Sequence, residues 1–177
     1  MPLTPDERAA AEADLTASAQ RLFAALSGLT DEEWGGRRPP EGWSITQCAE
    51  HLASAELPMS RLVEAASTGP AWEDGLARDE EVRRLIRDRS RRAEAPERVR
   101  PKGRWTTPAE IVRTFEDRRR ANVEFVRTTD AELRSLFFPH PFAGRIDCYQ
   151  WLLSLAAHTQ RHAEQIEEIR RRLRSKV

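Results

Sequence analysis

The segment from Cys148 to Leu173 carries the longest helical pattern in the sequence. Apolar residues recur there every three or four positions, the period that places them along one face of an α-helix. Asp147 precedes the pattern and is a favoured N-cap residue. The stripe consists of Cys148, Trp151, Leu155, His158, His162, Gln165, Ile166, Ile169 and Leu173. This stripe needs other helices to cover it.

Three further main helices are predicted from N-cap residues and capping boxes that mark their N-termini. One begins after the N-cap Thr4 and ends at Gly28. The second begins in a capping box at Ser44, and Pro58 is expected to kink or break it. The third begins in a capping box at Thr107. With the C-terminal helix, these predict an all-α four-helix bundle.

The composition agrees with this fold class. Of the 177 residues, 33% are charged, only 8 are glycine, and alternating β-branched runs are almost absent. A chain of this length can bury one full core. No segment has enough apolar residues for a second core, so residues 1–177 are predicted to form a single domain.

The connection between the second and third main helices, residues 69–106, is long. A bundle helix of about 20 residues spans roughly 30 Å, which a linker of about 38 residues covers easily, so one long crossover connection is expected. Within it, Asp79–Arg92 is charged all round and is predicted to be a short, solvated helix. Phe137–Arg145, further on, is predicted to be an apolar, proline-rich loop.

The charge pattern argues against nucleic acid or a membrane as a partner. Lys+Arg and Asp+Glu both number 29, so there is no net charge to attract a polyanion. The arginine runs 118–120 and 170–172 have acidic neighbours and are interpreted as solvated faces. No apolar stretch reaches about 18 residues, and the N-terminus does not resemble a signal peptide. A cytoplasmic location is expected.

Both cysteines, Cys48 and Cys148, are expected to be small core residues, since two do not make a disulfide framework. Cys148 could instead have a lowered pKa because it lies at a helix N-terminus. Trp43, Trp72 and Trp105 lie near loops, where they could line a pocket or pack helix ends. Glu56 and Glu164 do not share a helix face with the histidines and are expected to be solvated.

Three of the four histidines, His51, His158 and His162, fall on or beside inward faces of predicted helices. Neutral imidazoles bind Zn²⁺, Ni²⁺, Cu²⁺ or Fe²⁺ well. Three protein ligands with an open position are typical of a catalytic site. The alternative is a set of core histidines hydrogen-bonded to carbonyls or hydroxyls, but the paired spacing favours a metal. His140 is expected to have a packing role in its loop.

The spacing of His158 and His162 is not that of a zinc peptidase. In H-E-x-x-H the glutamate is the general base, whereas Thr159, Gln160 and Arg161 separate this pair. Gln165 follows His162 on the same face and could orient an imidazole or a bound molecule. It could equally be a polar residue near the end of the bundle.

Two segments resemble the DinB-like superfamily. Residues 42–52, Gly-Trp-Ser-Ile-Thr-Gln-Cys-Ala-Glu-His-Leu, resemble the start of its second helix. His140-Pro-Phe-Ala-Gly, then Trp151-Leu152, then His158-x-x-x-His162-x-x-Gln165 resemble its C-terminal half. These segments span most of the chain in the expected order. Ala143 is a small departure that bears on the pocket's shape.

The resemblance implies a four-helix bundle with one crossover that is often a homodimer. It also implies a divalent metal, commonly zinc or nickel, held by His51, His158 and His162. Family members of known activity are mostly low-molecular-weight thiol S-transferases, using bacillithiol or mycothiol, and a mycothiol-dependent maleylpyruvate isomerase. Others are described as metal-dependent hydrolases.

We therefore expect a small-molecule substrate and Lewis-acid activation of a thiol, or of water in a hydrolase. A stress-related metal-binding protein without catalysis is the third possibility.

Overall fold

The computed structural model describes residues 2–37, 42–90 and 94–175. The helices are α1 (Pro5–Leu26), α2 (Asp31–Gly35), α3 (Ile45–Ala55), α4 (Met59–Glu64), α5 (Gly75–Arg87), α6 (Pro108–Thr128) and α7 (Cys148–Arg174). The strands are β1 (Ser67–Thr68), β2 (Leu136–His140) and β3 (Gly144–Asp147). Single 3₁₀ turns lie at Glu97–Val99 and Leu133–Ser135.

The predicted helix starts are confirmed. Thr4, Ser44, Thr107 and Asp147 each accept a hydrogen bond from the backbone N–H three residues later. In each case the side chain at that third position binds back to the cap, which completes a capping box. These reciprocal bonds fix where each bundle helix begins. They therefore also fix which residues face inward.

Pro58 interrupts the predicted second helix rather than bending it. Helix α3 ends at Ala55, and α4 begins at Met59, with Pro58 in the N-cap position. Proline has no backbone N–H and excludes the helical conformation from the residue before it, so a break is the expected outcome.

The bundle consists of α1, α3, α6 and α7, as predicted. Helix α7 packs on α1 and α3, and α6 packs on the other side of the same two helices. Apolar residues from all four helices fill the centre, among them the fully buried Leu15, Leu52, Phe115 and Leu152. The long crossover between α4 and α6 contains β1, α5 and the first 3₁₀ turn.

Helix α5 is not the solvated helix that its charges predicted. It packs on α7, and Asp79, Val82 and Ile86 are buried on one face. Val82 and Ile86 lie four residues apart on one face of α5. They are sufficient to pack it on α7, because α7 presents an apolar surface there. Residues 91–92, the end of the predicted helix, lie outside the described residues.

The loop predicted at Phe137–Arg145 is wrong, because β2 and β3 form a hairpin there that adds a small sheet to the predicted helical bundle. With β1 they form an antiparallel sheet in the order β1-β2-β3, and Phe137 pairs with both Ser67 and Asp147. Pro139 lies within β2, where proline argues against a strand by sequence pattern alone. Gly144 supplies the positive φ of 69° at the turn.

Glu56 and Arg119 were expected in solvent but form a buried ion pair. They are 2% and 3% exposed, and Arg119 Nε and Nη2 donate to the two Glu56 oxygens at 2.7 and 2.8 Å. Arg119 also donates to Ser18 Oγ and Thr159 Oγ1, and Asn122 Nδ2 donates to Glu56. This cluster, which we call the ionic core, joins all four bundle helices.

A second buried cluster fixes the start of α7. Arg134 lies in the turn before β2 and donates to both oxygens of Asp79 at 2.8 and 2.7 Å. It also approaches Asp147, the N-cap of α7, at 3.4 Å. Helix α5, the turn and α7 are thereby held together at one end of the bundle.

Candidate metal centre

The three histidines predicted as ligands lie together between α3 and α7. His51 lies in the middle of α3, and its position follows from the capping box at Ser44. His158 and His162 lie one turn apart on α7, so both project toward the same side. His51 and His162 are buried, at 4% and 7% exposure.

The imidazoles converge through the same atom of each ring. His158 Nε2 lies 3.0 Å from His51 Nε2 and 3.1 Å from His162 Nε2. The ligand atoms of all three lie within 4.8 Å of one another, and no carboxylate or thiol belongs to the cluster among the residues described. We call these three residues the histidine triad.

Hydrogen bonds at the opposite ring nitrogen set the tautomer of two triad members. His51 Nδ1 lies 2.9 Å from the Val99 carbonyl, and His162 Nδ1 lies 3.0 Å from Gln165 Oε1. A carbonyl oxygen can only accept, and the Gln165 amide oxygen faces His162, so each Nδ1 carries the proton. Each Nε2 then has a free lone pair that points at the centre of the triad.

The surroundings keep the triad neutral. Burial lowers the pKa of His51. Burial and the neighbouring histidine charges lower the pKa values of His158 and His162 well below the ordinary value. Arg161 lowers both of those further, and Arg89 contributes at His162. Neutral imidazole is the form that binds metals, so this environment favours ligation.

Trp43 covers one side of the triad. Its ring centroid lies 4.8 Å from that of His51 and 6.3 Å from that of His162, nearly parallel to the latter. Of the two roles predicted for this residue, lining a site describes its position better than packing a helix end. Trp43 follows residues 38–41, which lie outside the described part of the chain.

His140 is not part of the triad. It lies on β2, with its ring 4.6 Å from that of Trp151, and its Nδ1 accepts hydrogen bonds from the backbone N–H groups of Phe142 and Ala143. These bonds stabilise the hairpin turn, so the predicted packing role matches its contacts. Burial lowers the pKa of His140 to about 4.

Comparison with known proteins identifies the family. A sequence model of the DinB superfamily matches residues 14–166. The chain belongs to the DinB superfamily. It is 23% identical to the uncharacterized protein YuaE of Bacillus subtilis (strain 168) over 149 residues, which covers 84% of this chain and 90% of YuaE.

The fold of this DinB protein is also similar to a solved structure. That structure is described as "YfiT from Bacillus subtilis is a probable metal-dependent hydrolase with an unusual four-helix bundle topology". The match has a TM-score of 0.63 and 15% identity, and it covers 97% of this chain and 90% of YfiT. At that identity the likeness concerns the fold, and it agrees with the bundle and crossover described above.

The donor set of this DinB protein fits a divalent transition metal. In a tetrahedral site with metal–nitrogen bonds of about 2.0–2.1 Å, ligand nitrogens lie about 3.3 Å apart. The two closest Nε2 separations, 3.0 and 3.1 Å, are near that value. Without an ion, the Nε2 lone pairs of His51 and His162 both face His158 Nε2, which can offer a proton to only one of them, and an unpaired acceptor is unfavourable in a buried site.

Sequence reasoning found Gln165 and Trp43 beside the triad but missed Val99 and Glu50. Val99 orients His51 through its main-chain carbonyl, which leaves no mark in a side-chain pattern. Glu50, next to His51, is 3% exposed and binds the backbone of residues 102–104. Its burial could have been suspected from its place on α3, but its partners are too distant in sequence to be foreseen.

The cysteines of this DinB protein are inert core residues. Cys48 and Cys148 are both 0% exposed, and burial raises the pKa of each to about 12. The lowered pKa considered for Cys148 at the N-terminus of α7 is therefore wrong, because loss of solvation outweighs the helix dipole.

No helix in the described ranges has a long enough apolar stretch to cross a bilayer.

Proposed function

We propose that this chain is a divalent-metal-dependent enzyme whose metal is held by His51, His158 and His162, with zinc or nickel as the preferred ions. The observation that supports this is the convergence of three Nε2 atoms, two of them with a hydrogen bond at Nδ1 that leaves the Nε2 lone pair free. Three imidazoles leave a further coordination position for a small molecule.

The metal, when bound, supplies Lewis-acid chemistry by lowering the pKa of a thiol or of water in that position. The chain supplies orientation and shielding. Val99 and Gln165 hold the rings of His51 and His162 in place. Trp43 lies beside both rings, stacked with His162 and tilted against His51, and shields that side from water. Gln165 is thus proposed to act through His162 rather than on the substrate.

We propose that the activated molecule is a low-molecular-weight thiol, which makes the enzyme an S-transferase. The thiol proton would leave to solvent, and the sulfur would form a bond to an electrophilic carbon of a small-molecule substrate while the bond from that carbon to its leaving group, chloride in a chlorobimane, breaks and the group departs with the electron pair. No carboxylate belongs to the triad cluster within the described ranges to act as a general base for water. The positive charge of Arg89 and Arg161 near His162 favours an anionic thiolate.

The thiol has to come from outside the chain. Both cysteines are buried, and their pKa values near 12 keep them protonated at neutral pH. A free thiol cofactor is therefore the simplest source of the nucleophile.

A hydrolase is the second candidate. It is supported by the fold similarity to YfiT, which is described as a probable metal-dependent hydrolase. In that case the molecule activated by the metal would be water.

The experiment begins with metal analysis of the purified wild-type protein and two matched variants, His158→Ala and His140→Ala. The triad assignment predicts about one metal per chain in the wild type and in His140→Ala, and none in His158→Ala. Metal content that is unchanged in His158→Ala would rule out the triad as the site.

Activity assays on the metal-loaded protein then separate the candidates. A panel of low-molecular-weight thiols with a chlorobimane electrophile tests the transferase, and a panel of esters and amides tests the hydrolase. Turnover only with a thiol supports the S-transferase, and turnover of an ester without thiol supports the hydrolase. If neither occurs, a non-catalytic metal-binding protein is the better description.

We also propose that the protein acts in the cytoplasm as a homodimer. The dimer rests on what is usual in its family, and light scattering at working concentration tests it. A monomeric mass would contradict it.

A further inference from the structure

The segment 97–104, which we call the strap, lies against α3 beside His51. It begins with the 3₁₀ turn Glu97–Val99, which packs on α3. It brings the Val99 carbonyl to 2.9 Å from His51 Nδ1. The strap belongs to the long crossover and lies outside the bundle helices, so hydrogen bonds to α3 help to set its position.

The first of these bonds come from Glu50, the residue before His51. Glu50 Oε1 accepts from the backbone N–H of Lys102 at 2.8 Å and of Arg104 at 3.1 Å. Glu50 Oε2 accepts from Gly103 N–H at 3.0 Å. Three consecutive N–H groups therefore surround one carboxylate that is 3% exposed. Burial opposes its ionisation, yet these bonds lower the pKa of Glu50 overall.

Arg104 provides the second set of bonds. Its Nη2 donates to the Arg98 carbonyl at 2.9 Å, and its Nη1 donates to the Arg100 carbonyl at 2.7 Å. The two carbonyls flank Val99 on either side in the chain. The same guanidinium lies 3.4 Å from Glu50 Oε1, so one ion pair connects α3 to both neighbours of Val99.

We infer that Glu50 and Arg104 are positioning residues for the histidine triad. They hold the strap so that the Val99 carbonyl fixes the proton of His51 on Nδ1 and leaves the Nε2 lone pair directed at the triad. Neither residue contacts the triad centre. The effect on metal binding rests on the proposed function, whereas the effect on the His51 tautomer does not.

Glu50→Gln removes this control with the least change of shape. Glutamine keeps one oxygen but presents an NH₂ group to backbone N–H donors, and it loses the charge that pairs with Arg104. Arg104→Gln removes the two bonds that flank Val99 and leaves the buried carboxylate in place. The first substitution is expected to have the larger effect.

The experiment measures the His51 tautomer in the metal-free protein by long-range ¹H–¹⁵N NMR, together with zinc affinity by chelator competition. The wild type is expected to show His51 protonated at Nδ1. Glu50→Gln should show a mixture of tautomers and bind zinc about 10- to 100-fold more weakly, as is typical when a ligand's hydrogen-bond partner is disturbed. Arg104→Gln should change both in the same direction by less.

Asp79→Asn is the matched control. Asp79 is also 3% exposed and bound to an arginine, but its partners Arg134 and Gln150 do not touch the triad. It should lose stability without any change in the His51 tautomer. A pure Nδ1 tautomer and zinc affinity within twofold of wild type in both strap variants would overturn the inference. A wild type that binds neither zinc nor nickel would overturn the proposed function, and the tautomer measurement would still decide the role of Glu50.

Discussion

Two buried polar clusters share the same pair of helices but differ in how their hydrogen bonds are satisfied. The ionic core includes Glu56, directly after α3, and Thr159 on α7. The histidine triad includes His51, within α3, and His158, the neighbour of Thr159. In the ionic core, donors and acceptors match, and every nitrogen of the Arg119 guanidinium has an oxygen partner.

The triad is different because its protons and lone pairs do not balance. Two Nε2 lone pairs face a third Nε2, which can offer at most one proton between them. The ionic core is satisfied by its own side chains, whereas the metal proposed for the triad would supply the partner that its lone pairs lack. Two polar clusters within a few residues of each other therefore differ in whether they leave room for a ligand.

Breaking the ionic core should have the largest effect. Glu56→Gln leaves the Arg119 charge buried without a counterion, which typically costs about 3–5 kcal/mol. The free energy of unfolding, measured in urea at pH 7, should fall by that amount. Glu12→Gln removes the partly exposed partner of Arg127 at the surface and should cost much less, because solvent screens that ion pair. Equal losses in the two variants would show that the ionic core is not a structural centre.

Filling the triad should have the next largest effect. At a free metal concentration 100 times the dissociation constant, binding to the folded state adds about 2.7 kcal/mol to the free energy of unfolding. The wild type should gain this from zinc or nickel, and chelation should reverse it. His162→Ala should gain almost nothing. A similar gain in His162→Ala would mean that the ion binds elsewhere.

Removing the partner of one triad ring should have a moderate effect. Gln165→Ala takes away the acceptor of His162 Nδ1 and should weaken metal binding about tenfold, or about 1.4 kcal/mol. Gln160→Ala, on the same helix but in the groove beside α5, should leave metal binding unchanged. Calorimetric titration of both variants measures the difference in metal affinity. Equal affinities would show that Gln165 is only a polar residue near the end of the bundle.

The smallest expected effect, taken per pH unit, is on the pH dependence of the metal-free protein. The folded pKa of His158 lies well below its unfolded value, so the unfolded state binds more protons as the pH falls below about 6.5. Stability should therefore decrease from pH 7 to pH 5. His158→Ala should reduce that slope by about 1 kcal/mol per pH unit. Urea unfolding at several pH values checks this, and an unchanged slope would contradict it.

Asp147 changes the stability with pH in the opposite direction to His158. For this reason the pH slopes of the wild type and His158→Ala are compared. Burial raises the pKa of Asp147 to about 6, above the unfolded value, so its contribution is greatest at low pH and is lost as the pH rises through 6. It is present in both the wild type and His158→Ala. The difference between their slopes thus reports on the histidine.

Features that depend on residues close together in the sequence could be predicted. Capping boxes located the bundle helices, and helical spacing put His51, His158 and His162 on inward faces. What was missed depends on contacts distant in sequence. Arg119 lies four residues after Phe115 and three before Asn122, on the inner stripe of α6, but its buried position needs Glu56, 63 residues away.

The sheet was missed for a related reason. Strand β2 contains a proline and lies between α6 and α7, whereas its partner β1 is only two residues long and lies in the crossover before α6. Neither has an alternating pattern long enough to identify. The hairpin becomes stable because Ile146 is buried against the bundle, which only the assembled helices provide.

Val99 supports His51 with its main-chain oxygen, which remains in place when the side chain at position 99 is replaced. A saturation mutagenesis scan scored by metal binding should tolerate many apolar side chains at position 99, because each retains the carbonyl. The same scan should be intolerant at Glu50, a residue that never approaches the ion. A mutational map of this protein would therefore show the support of His51 at Glu50, although the atom that contacts His51 is the carbonyl oxygen of Val99.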